Sequence, residues 1–348
     1  MRRHFLSLAI GVAGLLAVPA TSFADVIDVF PGESIQHAVN RAHRGDVIKV
    51  HDGNYRQSVA IRKNGLTLKG SGTDLENGSV LRPGHSKRCG GGQAGICIRA
   101  HKNHGNKVRT NKTVVKGFLV KGFEGIGLIT EGGKHTTIAH NKFAGDGEYG
   151  TAAFSSIGTK FTHNLSNGND EAGFYVGDSP HANAVLRHNK ARGNGSFGFF
   201  LRDSAHGVAQ NNTVVHNCLG IGVLNTSAPT NAKKWLIKGN QVNKNNKFCK
   251  GNPPVSGTGI GLLGARRTEV RHNRLRNNKP SKPGAPFAGG IVVISSKSFG
   301  GTDPARDTIS NNSALGNRPA DIRWDGSGFG NHFENNNCNL SQPSGLCS

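Results

Sequence analysis

Residues 173–212 contain one unit twice, as GFYVGDSPHANAVLRHN at 173–189 and GFFLRDSAHGVAQNN at 198–212. In each copy a glycine opens a short apolar run, and a polar turn and a second β-type segment then lead to an asparagine. Related units recur about every two dozen residues. The asparagines that mark them are Asn141, Asn164, Asn189, Asn212, Asn240, Asn273 and Asn312. A fixed period of this length, built of strands and turns, is the signature of a solenoid.

The apolar runs predict which side chains face inward. With the glycine as position zero, positions one and three are large and apolar, as in Phe174 and Val176. Alternation with a period of two places these on one face and position two on the other. Counted from Gly125, the same rule predicts that Ile126 faces inward. The sequence therefore predicts an all-β parallel β-helix in which stacked asparagines bond one another at a corner.

The N-terminal segment predicts a cap for the first coil. Ile35, Ala38, Val39 and Ala42 recur at helical spacing, and a glycine follows as a stop signal. A short amphipathic helix here would cover an end that would otherwise expose unpaired strand edges.

The domain organisation is predicted to be simple. Residues 1–24 have the charged start, apolar core and small-residue cleavage site of a secretory signal peptide, and are too short for a comfortable membrane span. Residues 25–348 form one β-helix domain: 25–70 are the cap and first coil, 111–337 the repeat coils, and 338–348 a disulfide-closed tail. The mature protein is expected to be extracellular and monomeric, with no membrane span.

The cysteines and the charge agree with export. Six cysteines, an even number, favour disulfides in an exported chain. Of fifteen possible pairings, loop lengths favour Cys89–Cys97, Cys218–Cys249 and Cys338–Cys347. A formal charge of +22 favours anionic partners. Outside a cell these are acidic polysaccharides, anionic wall polymers or nucleic acid, the last without sequence reading. Solubility alone is the alternative explanation.

A family resemblance is carried by Pro31-Gly32-Glu33-Ser34-Ile35-Gln36, Gly45-Asp46-Val47-Ile48, Gly53-Asn54-Tyr55 and Leu66-Thr67-Leu68-Lys69-Gly70. This stretch resembles the first coils of the pectate-lyase-like superfamily, and the later coils resemble its generic repeats. The resemblance implies a single-stranded right-handed parallel β-helix. Members include polysaccharide lyases, hydrolases, uronan epimerases and non-catalytic periplasmic proteins. The Arg-x-Pro-x-x-Arg segment of pectate lyases is absent, and the Asp-Pro-His-Asp signature of alginate epimerases is only echoed at 178–181.

The turns after two consecutive apolar runs suggest a site. Equal positions on neighbouring coils lie about 4.8 Å apart, so Asp178 should adjoin Asp203, and His181 should adjoin His206. Arg202 lies beside them. These five residues are the catalytic candidates, and the two aspartates are candidate ligands of a calcium ion. The alternative is that the aspartates only close solvated turns.

Position two predicts a substrate surface on the same coils. Tyr175 and Phe200 should face outward as an aromatic shelf for a sugar ring, unless a loop covers them. Arg266 and Arg267, two coils further on, are candidate substrate contacts. Three excursions, Cys218–Cys249, 245–257 and 279–289, could wall the groove, but the spacing does not indicate on which side they lie.

The leading hypothesis is a secreted protein that acts on or binds acidic polysaccharide. A uronan lyase or C5-epimerase would remove the proton at C5 after a cation or arginine neutralises the carboxylate. Glycoside hydrolysis by the two aspartates is also open. The alternative is a non-catalytic module that binds wall or matrix polysaccharide. A third hypothesis, maturation of an exported metalloenzyme, rests on the repeat type and on a histidine strip at His140, His163 and His188.

Overall fold

The computed structural model describes residues 24–103, 106–227, 231–251 and 253–347. The predicted signal peptide lies, apart from its last residue, outside the described residues. The chain winds through three long parallel sheets, and each turn of the solenoid contributes one short strand to each sheet. The predicted all-β parallel β-helix is confirmed.

The strands are short because a corner interrupts them every few residues. Sheet 1 contains Val26–Val29, Val47–Val50, Thr67–Gly70, Val114–Lys116, Thr137–Ala139, Lys160–Thr162, Val185–Arg187, Val208–Gln210, Leu236–Lys238, Glu269–Arg271, Thr308–Ser310 and His332–Glu334. Sheet 2 contains Gly53–Arg56, Ser79–Arg82, Phe118–Lys121, Lys142–Ala144, Leu165–Asn167, Lys190–Arg192, Thr213–Val215, Gln241–Asn243, Arg274–Arg276 and Ser313–Leu315. Sheet 3 contains Val59–Ile61, Ile96–Arg99, Leu128–Glu131, Tyr149–Phe154, Ala172–Ser179, Phe197–Ser204, Leu219–Leu224, Thr258–Leu263, Gly289–Ile294, Ile322–Trp324 and Ser341–Gln342.

A few elements lie outside these sheets. They are an antiparallel hairpin of His101–Asn103 and Asn106–Val108, the α-helices Ile35–Arg41 and Arg88–Gly91, and the 3-10 helix Lys297–Phe299.

The first helix is the predicted cap. Ser34 begins it by accepting a hydrogen bond from the backbone of His37, at 3.2 Å from its side-chain oxygen. Ile35, Ala38 and Val39 are buried in the central core. The cap therefore covers the first coil with the apolar face that the sequence predicts. The three predicted disulfides, Cys89–Cys97, Cys218–Cys249 and Cys338–Cys347, are also present.

The inward positions stack in register along the axis. Phe174 pairs with Phe199, and Phe199 with Ile221, all fully buried in one continuous core. Stacking of equal positions gives each large side chain a partner of similar size above and below, as close packing requires. The alternation rule is confirmed for these coils.

The register of the coil that contains Leu128–Glu131 corrects one prediction. Leu128 pairs with Thr151, which pairs with Phe174, so Gly127 rather than Gly125 is the equal of Gly173. Ile126 consequently does not face the core. It packs against apolar side chains on the outer face of sheet 3.

The predicted asparagine ladder runs along the corner between sheets 1 and 2. The backbone N–H and the side-chain amide of Asn164 both donate to Oδ1 of Asn189, each at 3.0 Å. The same amide donates to the carbonyl of Ile138 at 2.8 Å. Each buried amide thereby satisfies the backbone of its neighbours, since a buried polar group without a partner costs about 1–3 kcal/mol.

A second ladder, which the sequence analysis did not identify, runs along the corner between sheets 2 and 3. Its members each follow a member of the first ladder by five residues, and the backbone N–H of each member except the last donates to Oδ1 of the next. They are Asp146, Asn169, Asn194, Asn217, Asn245, Asn278 and Asn317. The constant offset was visible in the sequence.

No helix among the described residues is both long and apolar enough to cross a membrane.

Candidate functional site

The outer face of sheet 3 carries an aromatic cluster. Tyr175 and Phe200 pair in register, with their ring centroids 5.3 Å apart, and both point away from the central core. They are nevertheless 1% and 6% exposed. Tyr149 and Phe154 each lie 4.6 Å from the ring of Tyr175, and Phe197 stacks on Phe200 at 4.1 Å. The predicted open shelf is therefore wrong, because neighbouring side chains of the same sheet cover both rings.

Phe154 is half-buried and borders a cavity of about 370 Å³. Ile126 and Ile129 line the same cavity, and they form an apolar surface with the ring of Phe154. Polar groups surround this surface: Glu131, Glu148, Ser155 and Asp178. An apolar platform edged by oriented oxygens is the arrangement that a sugar ring requires, because its two faces are apolar and its rim carries hydroxyls.

Glu148, which lines this cavity, has a second glutamate beside it on the next coil. Tyr149 pairs with Ala172, so Glu148 and Glu171 occupy equal positions on adjacent coils, and the backbone of Glu171 donates to the carbonyl of Glu148 at 2.9 Å. Their Cα atoms are therefore about 4.8 Å apart. The phenol of Tyr149 acts on both carboxyl groups and lowers the pKa of each.

Burial acts against ionisation of all three groups. It raises the pKa of Glu148, against the hydrogen bond from Tyr149, which lowers it. It also raises the pKa of Glu171, which the negative charge of Glu148 raises further. The pKa of Tyr149 rises through burial and through the adjacent carboxylates. The group thus holds a proton to a higher pH than isolated glutamates would.

Arg202 supplies the positive charge nearest to this group. Its Nε lies 3.5 Å from Oδ2 of Asp203, and its guanidinium interacts electrostatically with Tyr175 and Asp178. Tyr175 extends along its strand over Gly177, where an added Cβ would overlap the phenol oxygen. Glycine at this position therefore gives the phenol its room. Burial raises the pKa of Tyr175, so the phenol remains protonated at neutral pH.

The two predicted aspartates are neighbours but differ in environment. Asp178 is exposed at the cavity, whereas Asp203 is 6% exposed. Asp203 accepts a hydrogen bond from the backbone of Thr226 at 2.8 Å, and others from the hydroxyls of Thr226 and Ser227. Asp203 therefore fastens the turn of the next coil, and the alternative that both aspartates close solvated turns does not hold for it.

The calcium ion stays a prediction, and one of its two expected ligands already has other partners. Among the described residues, no group of three or more His, Cys, Asp or Glu side chains is arranged to hold a metal ion.

The predicted histidines lie elsewhere. The rings of His181 and His206 are neighbours, 6.4 Å apart, at the corner between sheets 3 and 1, and neither lines the cavity. Parallel bridges join Ala205 to Lys233 on the next coil, and Lys233 to Arg266 on the coil after that. Arg267 therefore occupies the position that His206 holds two coils earlier. The structure thus separates His181, His206, Arg266 and Arg267 from the glutamates and joins them to a basic corner.

Two of the three predicted excursions, 245–257 and 279–289, place side chains over the outer face of sheet 3. The third, Cys218–Cys249, is instead one turn of the solenoid with a strand in each sheet. Pro253, Val255, Phe287 and Phe299 close an apolar cavity of about 130 Å³ against the sheet. The disulfide Cys218–Cys249 ties the first of these loops to its coil. The groove is consequently open over the coils of Glu148 and Glu171 and walled over the following coils, which answers the question of side that the spacing left open.

The glutamates were missed although a signal existed. Glu148 and Glu171 each stand two residues before the glycine that opens an apolar run, at 150 and 173. The comparison of equal positions was applied to the turns after the runs and not to those before them. Applied there, it would have paired the two carboxylates.

Comparison with solved structures relates the chain to enzymes of the same architecture. The A-module of a mannuronan C-5 epimerase from Azotobacter vinelandii aligns with a TM-score of 0.56 at 13% identity, over 88% of each chain. An alginate lyase from a Paenibacillus species aligns with a TM-score of 0.57 at 13% identity, over 90% of this chain and 99% of that one. A DFA-IIIase from Arthrobacter chlorophenolicus, without its lid, aligns with a TM-score of 0.58 at 13% identity, over 90% and 94%.

At these identities the likeness shows a shared fold. No curated protein sequence matches the chain significantly. The family model described as the right-handed beta helix region matches residues 64–234 and 124–303. These matches span more than half of the chain, in agreement with the three parallel sheets, and the protein therefore belongs to the right-handed β-helix family.

Proposed function

We propose that the protein is a polysaccharide-active enzyme that cleaves a glycosidic bond in the open groove of sheet 3. The observation that carries this proposal is the pair Glu148 and Glu171 on adjacent coils, with Glu148 at a cavity that has an apolar floor and with the phenol of Tyr149 acting on the pKa of both. The three disulfides fit an oxidising compartment outside the cytoplasm, where such substrates occur.

The two glutamates have different roles. Glu171, whose pKa is raised by burial and by the charge of Glu148, donates a proton to the glycosidic oxygen as the bond to the leaving sugar breaks. Glu148, as the carboxylate, attacks or stabilises the anomeric carbon. Carboxyl groups about 5 Å apart are typical of retaining glycosidases, and adjacent coils bring the two side chains into that range. Water then releases the glycosyl group, and Glu171 accepts the proton of that water.

The charges around the cavity favour this chemistry. Glu131, Glu148 and Asp178 line it, and Arg202 already interacts with Asp203. A groove lined by acidic side chains favours a neutral stretch of glycan as its ligand, and it favours the protonated form of the carboxyl group that donates the proton. Phe154 stacks the sugar, and Ile126 completes the floor.

A lyase or C5-epimerase of an acidic polysaccharide is the second candidate. The observation in its favour is the proximity of Arg202 to Tyr175 and Asp178. Arg202 would neutralise the uronate carboxylate, and a phenol would exchange the C5 proton. The raised pKa of both tyrosines counts against a phenolate base at neutral pH. Binding without turnover is the third outcome.

The test is incubation of the mature protein with neutral and acidic polysaccharides, with assays for new reducing ends, for unsaturated-uronide absorbance and for epimerisation. We expect reducing ends without unsaturation, and a rate roughly 100-fold or more lower in Glu171→Gln. Glu269→Gln, which removes an exposed carboxylate on sheet 1, is the matched control and should retain activity. Unsaturated products that disappear in Arg202→Gln would transfer the proposal to the second candidate. Folded Glu148→Gln and Glu171→Gln variants with full activity would overturn the assigned roles.

A further inference from the structure

We infer that the corner between sheets 3 and 1 is a separate docking surface for an acidic polysaccharide. It consists of four side chains on four successive coils, His206, Lys234, Arg267 and Arg306, which we call the basic row. The inference does not depend on the chemistry proposed for the groove, since none of these residues lines the cavity beside Glu148.

The register of the backbone forms the row. Parallel bridges join Ala205 to Lys233, Lys233 to Arg266, and Arg266 to Ala305, so the residues that follow these four occupy equal positions. All four members of the row have a left-handed φ, between +52° and +62°. Since adjacent strands are about 4.8 Å apart, the row is roughly 14 Å long and runs parallel to the solenoid axis.

The cations of the row point to solvent. Lys234, Arg267 and Arg306 are exposed, whereas the residues that follow them, at 235, 268 and 307, are buried beneath the corner. Lys233 and Arg266 lie one residue earlier on the two middle coils and widen the row. Four coils therefore carry five permanent cations and one titratable imidazole.

Two nearby carboxyl groups, Asp303 and the buried Asp307, attract Arg266, but burial raises the pKa of Asp307 to about 8 and so keeps it largely uncharged at neutral pH. Asp303 is paired with Lys297 at 2.5 Å, and Glu269 with Arg271 at 3.3 Å. No carboxylate among the described residues forms an ion pair with any lysine or arginine at positions 233, 234, 266, 267 or 306. Burial, together with the charges of the adjacent lysines, lowers the pKa of His206, as expected for a site of accumulated positive charge.

A linear polyanion relieves this repulsion. The ladder of backbone hydrogen bonds fixes the spacing of the Cα atoms, so like charges at equal positions of adjacent coils can separate only by bending their side chains apart. A polymer with a carboxylate on each sugar places successive negative charges along the row and releases counterions. Single-stranded nucleic acid is disfavoured, since it needs successive aromatic platforms. The guanidinium of Arg306 lies over the ring of Phe329 at 5.4 Å, which is a single contact and not a series of platforms.

The experiment compares two triple variants with the same loss of charge. Lys234→Gln/Arg267→Gln/Arg306→Gln removes the exposed part of the row. Lys190→Gln/Arg192→Gln/Arg274→Gln removes one lysine and two arginines, all exposed, from sheet 2. Affinity for polygalacturonate is measured at several salt concentrations, with dextran as the neutral polymer and single-stranded DNA as the competing polyanion. Thermal unfolding of each variant verifies its fold.

We expect the row variant to bind polygalacturonate at least 10-fold more weakly, with a salt-dependence slope smaller by about 2, because three contacts are lost. The sheet 2 variant should change less than 3-fold. Equal losses in both variants would mean diffuse attraction by net charge and would overturn the inference, as would tighter binding of DNA than of polygalacturonate. The binding assay does not depend on cleavage, so failure of the proposed catalysis and failure of the docking surface are distinguishable.

Discussion

Asp146 occupies a position that is asparagine throughout the rest of the second ladder up to Asn317. Its Oδ1 accepts from the backbone of Phe123 at 3.0 Å, and its own backbone donates to Oδ1 of Asn169 at 3.1 Å. Its Oδ2 is buried without a hydrogen-bond partner. Burial raises the pKa of this carboxyl to about 8. The folded protein therefore keeps a proton on Asp146 that the unfolded chain releases.

Replacement of Asp146 by asparagine removes the dependence of stability on pH that this carboxyl causes. The carboxyl titrates at about 8 when folded and at 3.8 as its ordinary value. Below that ordinary value both states are protonated, and the carboxyl costs nothing. Between the two values each pH unit destabilises the fold by about 1.4 kcal/mol, and above the folded pKa the loss is constant. At pH 7 the penalty reaches about 4 kcal/mol, as an upper limit. In Asp146→Asn the amide donates to a carbonyl of an earlier coil, as Asn245 does at 3.1 Å.

The assay is equilibrium denaturation of both proteins from about pH 4 to about pH 8, with the denaturant dependence compared at each pH. We expect the two free energies of unfolding to converge near pH 4 and Asp146→Asn to be more stable by up to about 4 kcal/mol at pH 7. Asp170→Asn, at an exposed neighbour, is the matched control and should show no such trend. A stability difference that does not change with pH, or a destabilised Asp146→Asn, would refute the reasoning.

Two further predictions concern residues whose roles only the structure assigns. Asn217→Ala should lower the free energy of unfolding by about 3–5 kcal/mol, because Asn194 loses the acceptor for its backbone N–H and for its side-chain amide. The control is Gln241→Ala, at an exposed residue on the next coil; its free energy of unfolding, measured by the same denaturation, should change by less than about 0.5 kcal/mol. Asp203→Ala should make the turn at Thr226 sensitive to proteolysis, since its backbone N–H loses its acceptor, whereas Asp178→Ala should leave cleavage there unchanged; equal protection in both variants would contradict the role assigned to Asp203.

Much of the fold could be predicted from local pattern. The period of the asparagines, the alternation that turns Phe174 inward and Tyr175 outward, and the short loops of two of the three disulfides, Cys89–Cys97 and Cys338–Cys347, each depend on a few neighbouring residues. A β-helix repeats one local conformation, so such rules hold along most of the chain. The exception was the coil that contains Leu128–Glu131. There Gly125 precedes Gly127, the true equivalent of Gly173, by two residues, and Ile126 faces outward.

The site depended on contacts between coils and loops, which alternation does not describe. An outward position is open only if its neighbours are small, and Tyr149 and Phe154 cover Tyr175 from the preceding coil. Asp203 is buried because Thr226 of the next coil folds onto it. The sequence by itself determined which side chains stack. Only the tertiary structure decided which of those stacks remain exposed to a ligand, because exposure depends on the size and path of segments distant along the chain.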